Sequence, residues 1–378
     1  MRRKAVSIDL GRLGILVSLL ASAASCKFPP PPEIVDGAVA DGQGDDAQSE
    51  VDASMTDGLI DAGPPCARRV AFSDFTSSNG LDVYAANLDG TGVVDLSLHA
   101  IDDDHPNWSR TGDVVLFDSY RSGSARDIFS INADGSMLRN VTQSAADDHF
   151  PVWSPDGNLI AHLRRTTGSP RVWVMDPSGA NAREIAMPSV FEPPSWSPGS
   201  DRVAFYSNDG DTYTVAVAGG TPTNLTTWTT DRCREPVWSH DGTRIAFSCS
   251  SDNGRADIFV VKSDGTDPMN ITTTPTANDY SPTWLPDGSL VYSSDRDGAS
   301  FKIYRSTSTQ PLATNTASAT AGDLRPVASP DGARIAFTRQ GNATSKLGIM
   351  NIDGTNLTEF SVISSMPKST NPTWSPCR

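Results

Sequence analysis

The stretch Pro151-Val-Trp-Ser-Pro-Asp-Gly-Asn-Leu-Ile-Ala161 decides how this chain folds. It reads as two short strands joined by a tight turn, because proline presets the φ of a turn and glycine accepts a positive one. Variants recur as Pro106-Asn-Trp108-Ser, Pro194-Ser-Trp196-Ser-Pro, Pro236-Val-Trp238-Ser-His-Asp-Gly, Pro282-Thr-Trp284-Leu-Pro-Asp-Gly, Pro326-Val-Ala328-Ser-Pro-Asp-Gly and Pro372-Thr-Trp374-Ser-Pro. The tryptophans, with Ala328 in one copy, are 45, 43, 42, 46, 44 and 46 residues apart. A period of about 40–45 residues filled with strand signals is that of propeller blades.

Working outward, each turn leads into an apolar triplet such as Val115-Leu-Phe117, Ile160-Ala-His162 or Ile335-Ala-Phe337. A loop of turn formers follows, then a third strand such as Asp82-Val-Tyr84 or Asp257-Ile-Phe259. Hairpin turns at Asp89-Gly90, Asp134-Gly135, Asp264-Gly265 and Asp353-Gly354 lead to a brief polar outer strand. Asn140-Val-Thr142, Asn224-Leu-Thr226, Asn270-Ile-Thr272 and Asn356-Leu-Thr358 mark that strand. They match the glycosylation acceptor pattern, but their fixed repeat phase makes them strand chemistry. Short polar outer strands protect blade edges from other chains.

The ends of the chain are offset. The first apolar triplet, Val70-Ala-Phe72, has no Pro-x-Trp-Ser before it, and Pro372-Thr-Trp374-Ser has nothing after it. Joining them completes a blade whose inner strand comes from the carboxyl terminus. The expected fold is therefore all-β: a seven-bladed β-propeller of four-stranded blades over residues 66–378, closed by the C-terminal strand.

Residues 1–26 have the parts of a secretory signal: Arg2, Arg3 and Lys4, an apolar run from Leu13 to Leu20, and small residues Ala21 to Ser25. Cys26 follows at once, and small residues before a cysteine resemble the lipobox of bacterial lipoproteins, although Ala23 stands where that family usually has leucine. Cys26 is thus the expected lipidation site. Residues 27–65 are expected to be a disordered acidic tether, opened by Pro29 to Pro32 and too poor in apolar residues to bury a core. The signal contributes +3 and the tether −8 to the formal −15, which leaves −10 for residues 66–378. That acidic balance argues against nucleic acid, which needs clustered Lys and Arg.

The remaining cysteines test the closure. Aligning Cys66-Ala-Arg-Arg-Val-Ala-Phe72 and Trp374-Ser-Pro-Cys377 with Ala328-Ser-Pro-Asp331-Gly-Ala-Arg-Ile-Ala-Phe337 puts Cys66 and Cys377 at the same turn, one from each side. A Cys66–Cys377 disulfide would replace the missing peptide connection, with a chain-entropy contribution of about 5 kcal/mol at most. In a hairpin centred on His240-Asp-Gly-Thr243, Cys233 falls within one position of facing Cys249, which suits a second bridge. Two bridges fit an oxidising compartment.

The run Pro-x-Trp-Ser-Pro-Asp-Gly-x-x-Ile-Ala-Phe, then an Ile-Tyr type strand and a Leu-Thr type outer strand, resembles the TolB-like propeller repeat, a relative of the WD repeats. The resemblance covers residues 66–378 in seven copies. It implies protein binding at one propeller face and an envelope location, while the separate domain that TolB places before its propeller has no counterpart here beyond the tether.

Candidate binding residues cluster before the motif prolines, where the chain enters beside the channel. Asp103, Asp148, Asp279 and Asp323 stand three residues before the proline in four repeats, accompanied by His105, His149, Arg234, Glu235, Tyr280 and Arg325. A ring of carboxylates could bind Ca²⁺ or a basic peptide. The competing expectation is that each aspartate caps its own loop. No dedicated metal site or other cofactor is expected. Gly-x-Ser-x-Gly, the Gly-x-x-x-x-Gly-Lys loop and His-Glu-x-x-His are absent from the sequence. The expectation is a non-enzymatic, monomeric, lipid-anchored protein-binding scaffold, secreted across the inner membrane to the outer membrane or periplasm, touching the membrane only through its anchor and binding envelope proteins or peptides. The alternatives are a propeller hydrolase or lyase acting on glycans or peptides, and a metal-stabilised carbohydrate or peptide sensor.

Overall fold

The structure, a computed structural model, describes residues 69–75, 80–99, 101–188, 192–250, 254–274, 276–298, 300–312, 322–341, 345–360 and 372–376. Cys26, Cys66 and Cys377, and with them the signal, the tether and the terminal bridge, lie outside these residues.

Seven antiparallel sheets follow one another along the chain, six of four strands and one of three. The three-stranded sheet, blade 6, carries an isolated Tyr304–Pro311 bridge at the place of its outer strand. The other blades keep the order inner, second, third, outer. Blade 1 is the exception in connectivity: its inner strand is Thr373–Trp374, paired with Arg69–Phe75 through Val70 opposite Trp374 and Ala71 opposite Thr373. The Ser375 amide donates to the Arg69 carbonyl at 3.0 Å, so the ring is closed by hydrogen bonds between the two ends of the propeller.

Each word of the repeated motif has a structural use. The serine and aspartate staple the inner hairpin: Ser154 Oγ donates to Asp156 Oδ1 at 2.6 Å and accepts from the Leu159 amide at 2.9 Å, and Ser239–Asp241 and Ser329–Asp331 repeat the pairing. Gly157, at φ +77°, takes the left-handed position that the turn requires. The tryptophans tie neighbouring blades together. The indole N–H groups of Trp196, Trp284 and Trp374 donate to the carbonyls of Val152, Val237 and Val327 in the preceding blade, at 3.0, 3.1 and 2.8 Å. Trp108, Trp196, Trp238, Trp284 and Trp374 are buried in the layers between blades, as core.

The outer strands of blades 2, 4 and 5, Arg139–Asn140, Thr223–Asn224 and Met269–Asn270, overlap the expected tripeptides only at their asparagines. In blade 7 the strand begins later, at Thr358–Phe360, and Asn356 instead occupies a turn at φ +53°. Cys233 and Cys249 are bonded to each other. They face one another directly, one position away from the sequence expectation, because a bulge between Arg234 and Val237 shifts the hairpin register.

Candidate functional site

The inner strands begin earlier than the motif suggested. Asp103–Trp108, Asp147–Trp153, Arg232–Trp238, Asp279–Trp284 and Gly322–Ala328 take in the polar residues that were expected to precede them. All five carry the same bulge just before the Trp or Ala position. At each bulge the residue before the proline has a positive φ: His105 +56°, Phe150 +53°, Glu235 +61°, Ser281 +58° and Arg325 +54°. The residue before proline ordinarily favours extended backbone. Left-handed non-glycine residues cost of order 1–3 kcal/mol each, and their recurrence marks a position that the surrounding structure dictates.

This bulge separates two sets of side chains. Asp103, Asp148, Asp279 and Asp323 are not bare carboxylates, and two of them tie their own loops, Asp148 accepting from Ser144 Oγ at 2.9 Å and Asp279 from Thr274 Oγ1 at 2.6 Å. Each pairs with an arginine from the second strand or the loop after it. Arg164 reaches Asp148 with Nε and Nη2, at 2.6 and 3.0 Å, and Arg339 grips Asp323 the same way at 2.6 and 2.8 Å. Arg121 meets Asp103 at 2.5 Å and Arg296 meets Asp279 at 3.2 Å. The guanidinium groups lie over aromatic rings: Arg121 over Phe117 and Phe129, Arg164 over Trp173, Arg296 over Tyr292 and Tyr304, Arg339 over Phe337. Each ring belongs to the same blade as its aspartate, so these ion pairs hold single blades together. Burial alone would raise the Asp148 carboxyl, but His162 and Arg164 bring it down to about 2. The arginines were missed in the sequence, although they recur 16 to 18 residues after the aspartates.

The second set converges from different blades. Burial pushes the Arg325 guanidinium of blade 7 down, against the pull of Glu235 in blade 5 and Asp104 in blade 2. Glu235 Oε2 accepts from the Ser281 amide at 2.7 Å and from Ser248 Oγ at 3.1 Å, and burial pushes its carboxyl up. Its own amide lies 3.4 Å from Glu192 Oε2. Glu192, in the segment leading to blade 4, is pushed up to about 8 by burial and by Glu235, against the pull of Arg234. Arg234 sits 4.0 Å from Glu192 and over the Tyr206 ring. In blade 2, His105 Nδ1 is 2.8 Å from Asp118, its Nε2 is 3.5 Å from Asp104, and its ring packs 4.2 Å from Phe150. Asp118 also pairs with Arg126, and despite burial these partners hold it below the ordinary carboxylate range.

Of the predicted residues, His105 therefore meets Asp104 and Asp118 in blade 2, Arg234 and Glu235 meet Glu192 between blades 4 and 5, and Arg325 feels the charges of both Glu235 and Asp104. Asp104, Asp118 and Glu192 were not singled out by the repeat phase. His149 turns to Asp147 at 3.0 Å, and Tyr280 packs against Phe301. Among the described residues, no group of three or more His, Cys, Asp or Glu side chains is arranged to hold a metal ion. The cluster offers buried charges of both signs and, in Glu192, a carboxyl that keeps its proton near neutral pH.

None of the curated proteins matches the chain. Among solved structures, TolB from Acinetobacter baumannii matches with a TM-score of 0.55 at 15% identity, over 82% of this chain and 66% of its own. A puromycin-hydrolyzing peptidase of Mycobacterium tuberculosis matches with a TM-score of 0.60 at 14% identity, over 77% of this chain and 52% of its own. An oligogalacturonate lyase from Vibrio parahaemolyticus matches with a TM-score of 0.54 at 11% identity, over 78% of this chain and 85% of its own. At these identities the likeness is one of fold. The family described as TolB beta propeller domain matches residues 61–227 and 226–378, the whole ring. The chain belongs to the TolB beta propeller domain family.

Proposed function

We propose that this propeller is a non-enzymatic scaffold of the cell envelope, lipid-anchored at Cys26 through the acidic tether, which binds a protein or peptide at the end of the channel where Arg234, Glu235 and Arg325 meet. The observation that carries this reading is the axial cluster, in which buried charges of both signs come from separate blades. Such a surface suits a polypeptide segment carrying charges of its own, because complementary charges fix register and partner choice. The family relationship supports the same reading. Lipidation predicts a mass added at Cys26 and loss of membrane fractionation in Cys26→Ala; unchanged fractionation removes the anchor. For binding, envelope partners retained by the wild-type protein should be lost on Arg234→Ala, with the melting temperature kept. Retention of the same partners by that variant overturns the site.

A second reading, a propeller enzyme acting on glycans or peptides, is favoured by one observation. Glu192 is protonated near neutral pH, as a general acid must be, and stands beside the second carboxyl of Glu235. Turnover on a glycan or peptide panel that Glu192→Gln abolishes, with the fold intact, would select this reading over the scaffold.

A further inference from the structure

We propose that Asp82 keeps a proton to meet Asp95 and that the two act as a pH-dependent latch on the outer edge of blade 1.

The inference comes from comparing equivalent positions. In blades 2, 4 and 5 an aspartate at the start of the third strand meets an asparagine of the outer strand. Asn140 Nδ2 donates to Asp127 Oδ2 at 2.8 Å, Asn224 to Asp211 at 2.7 Å and Asn270 to Asp257 at 2.9 Å. The asparagine oxygen faces the other way and accepts backbone N–H groups just after it: Gln143 at 3.0 Å, Thr226 at 2.8 Å, Thr272 at 3.0 Å. A threonine hydroxyl completes each unit by donating to the aspartate.

Blade 1 has the same unit with one atom changed in kind. Asp95 stands opposite Tyr84 as Asn140, Asn224 and Asn270 stand opposite Phe129, Tyr213 and Phe259. Its Oδ1 accepts from the Ser97 and Leu98 amides at 3.2 and 2.9 Å, as the asparagine oxygens do, and Ser97 Oγ donates to Asp82 at 3.3 Å. By the same placement Oδ2, an acceptor, takes the position where the other three blades put an N–H donor toward the aspartate, and the Tyr84 hydroxyl also hydrogen-bonds Asp95. Two carboxylates cannot hydrogen-bond to each other unless one keeps a proton.

The surroundings make that proton hard to lose. Asp82 is buried, as is Asp103 of blade 2. Burial, then Asp95, then Asp103 raise the Asp82 carboxyl to about 7, against hydrogen bonds from the His99 backbone and Ser97. Asp74 faces Asp82 across the second strand, and Tyr84 faces Asp95. Arg121 brings a cation into this neighbourhood, where His99 also lies: it pairs with Asp103 at 2.5 Å and also donates to the Ser97 carbonyl at 3.2 Å. The moving part is the segment after Asp95. Leu98 is 76% exposed and held at φ +45°, with its amide on Asp95 Oδ1. Repulsion between two charged carboxylates would pull that support away and release the outer edge.

The sign follows from linkage. A carboxyl whose folded value is raised stabilises the fold at acid pH and loses that contribution as pH rises through the folded value. Melting the full-length, disulfide-bonded protein across pH, beside Asp95→Asn, tests the latch. The variant restores the donor, so it should match the wild type near about pH 4 and be the more stable above about pH 7. Between those limits the wild-type folding equilibrium constant should fall against the variant by up to about tenfold per pH unit. Contributions from other titrating groups are common to both proteins and cancel. Asn224→Asp should install the same dependence in blade 4, which keeps the test alive should Asp95→Asn fail to fold. Carboxyl-carbon NMR should show an aspartate titrating near neutrality in the wild type and lost in both Asp82→Asn and Asp95→Asn. Parallel melting curves for wild type and either asparagine-to-acid or acid-to-asparagine variant, or no aspartate titrating above the ordinary range, overturn the proposal.

Discussion

Asp323 and Arg325 stand two residues apart on one inner strand and have opposite fates. Asp323 is closed off by Arg339 within its own blade, while Arg325 is buried where it feels the charges of Glu235 in blade 5 and Asp104 in blade 2. In a regular strand residues two apart share a face. The left-handed residue at each bulge breaks that rule, and the same break recurs in five blades. One set of charges is thereby devoted to holding a blade together and the other is delivered to the axis. Repeated phase in a sequence is therefore ambiguous: it marked the structural aspartates and only part of the axial cluster.

Four changes sharpen this contrast. The largest effect should come from Asp148→Ala, which strands the Arg164 charge beneath the blade surface. Breaking a buried pair costs about 3–5 kcal/mol, measurable by denaturant unfolding, and a loss under 1 kcal/mol would return Asp148 to the list of candidate ligands. Next is removal of the Cys233–Cys249 bridge by a double serine substitution. It should cost about 3 kcal/mol by the loop-entropy argument and loosen the bulge that presents Glu235, so partner binding should weaken along with stability.

Glu192→Gln should act through pH. The raised carboxyl stabilises the fold at acid pH, and that contribution is lost as pH rises from the ordinary glutamate value through about 8. The wild type should lose up to about 1.4 kcal/mol per pH unit against the variant in that window, read as diverging melting curves. Parallel curves would place Glu192 in solvent and remove the axial acid. The smallest effect belongs to His162→Phe. His162 is fully buried where the other second strands carry Phe or Tyr, and burial pushes its imidazole down. Unfolding releases a histidine that takes up a proton below its ordinary value, so the wild type should weaken against the variant only as pH falls below about 6.5. A variant that is worse at every pH would make the contact with Asp148, at 3.4 Å, essential to that pair.

Much of the fold was legible because it depends on local rules. Pro-Asp-Gly fixes a hairpin, alternating apolar residues fix which face is buried, and the spacing of the tryptophans fixes how many hairpins there are. Even the closure could be read, since a triplet without an inner strand and an inner strand without a triplet have one complement. The candidate site was legible only in part. His105, Arg234, Glu235 and Arg325 were picked out by their place before the prolines. Asp104, Asp118 and Glu192 were not, because Asp118 sits on a second strand and Glu192 precedes a shortened inner strand of two residues.

The amino-acid sequence by itself thus determined a seven-fold β-propeller closed by its own carboxyl-terminal strand, because each blade is specified within a single repeat. Only the tertiary structure decided which charges meet. Arg325, Glu235 and Asp104 are separated by 90 and 131 residues, and nothing within one repeat encodes their approach. It follows from closing the ring and from a left-handed turn of the backbone at each bulge.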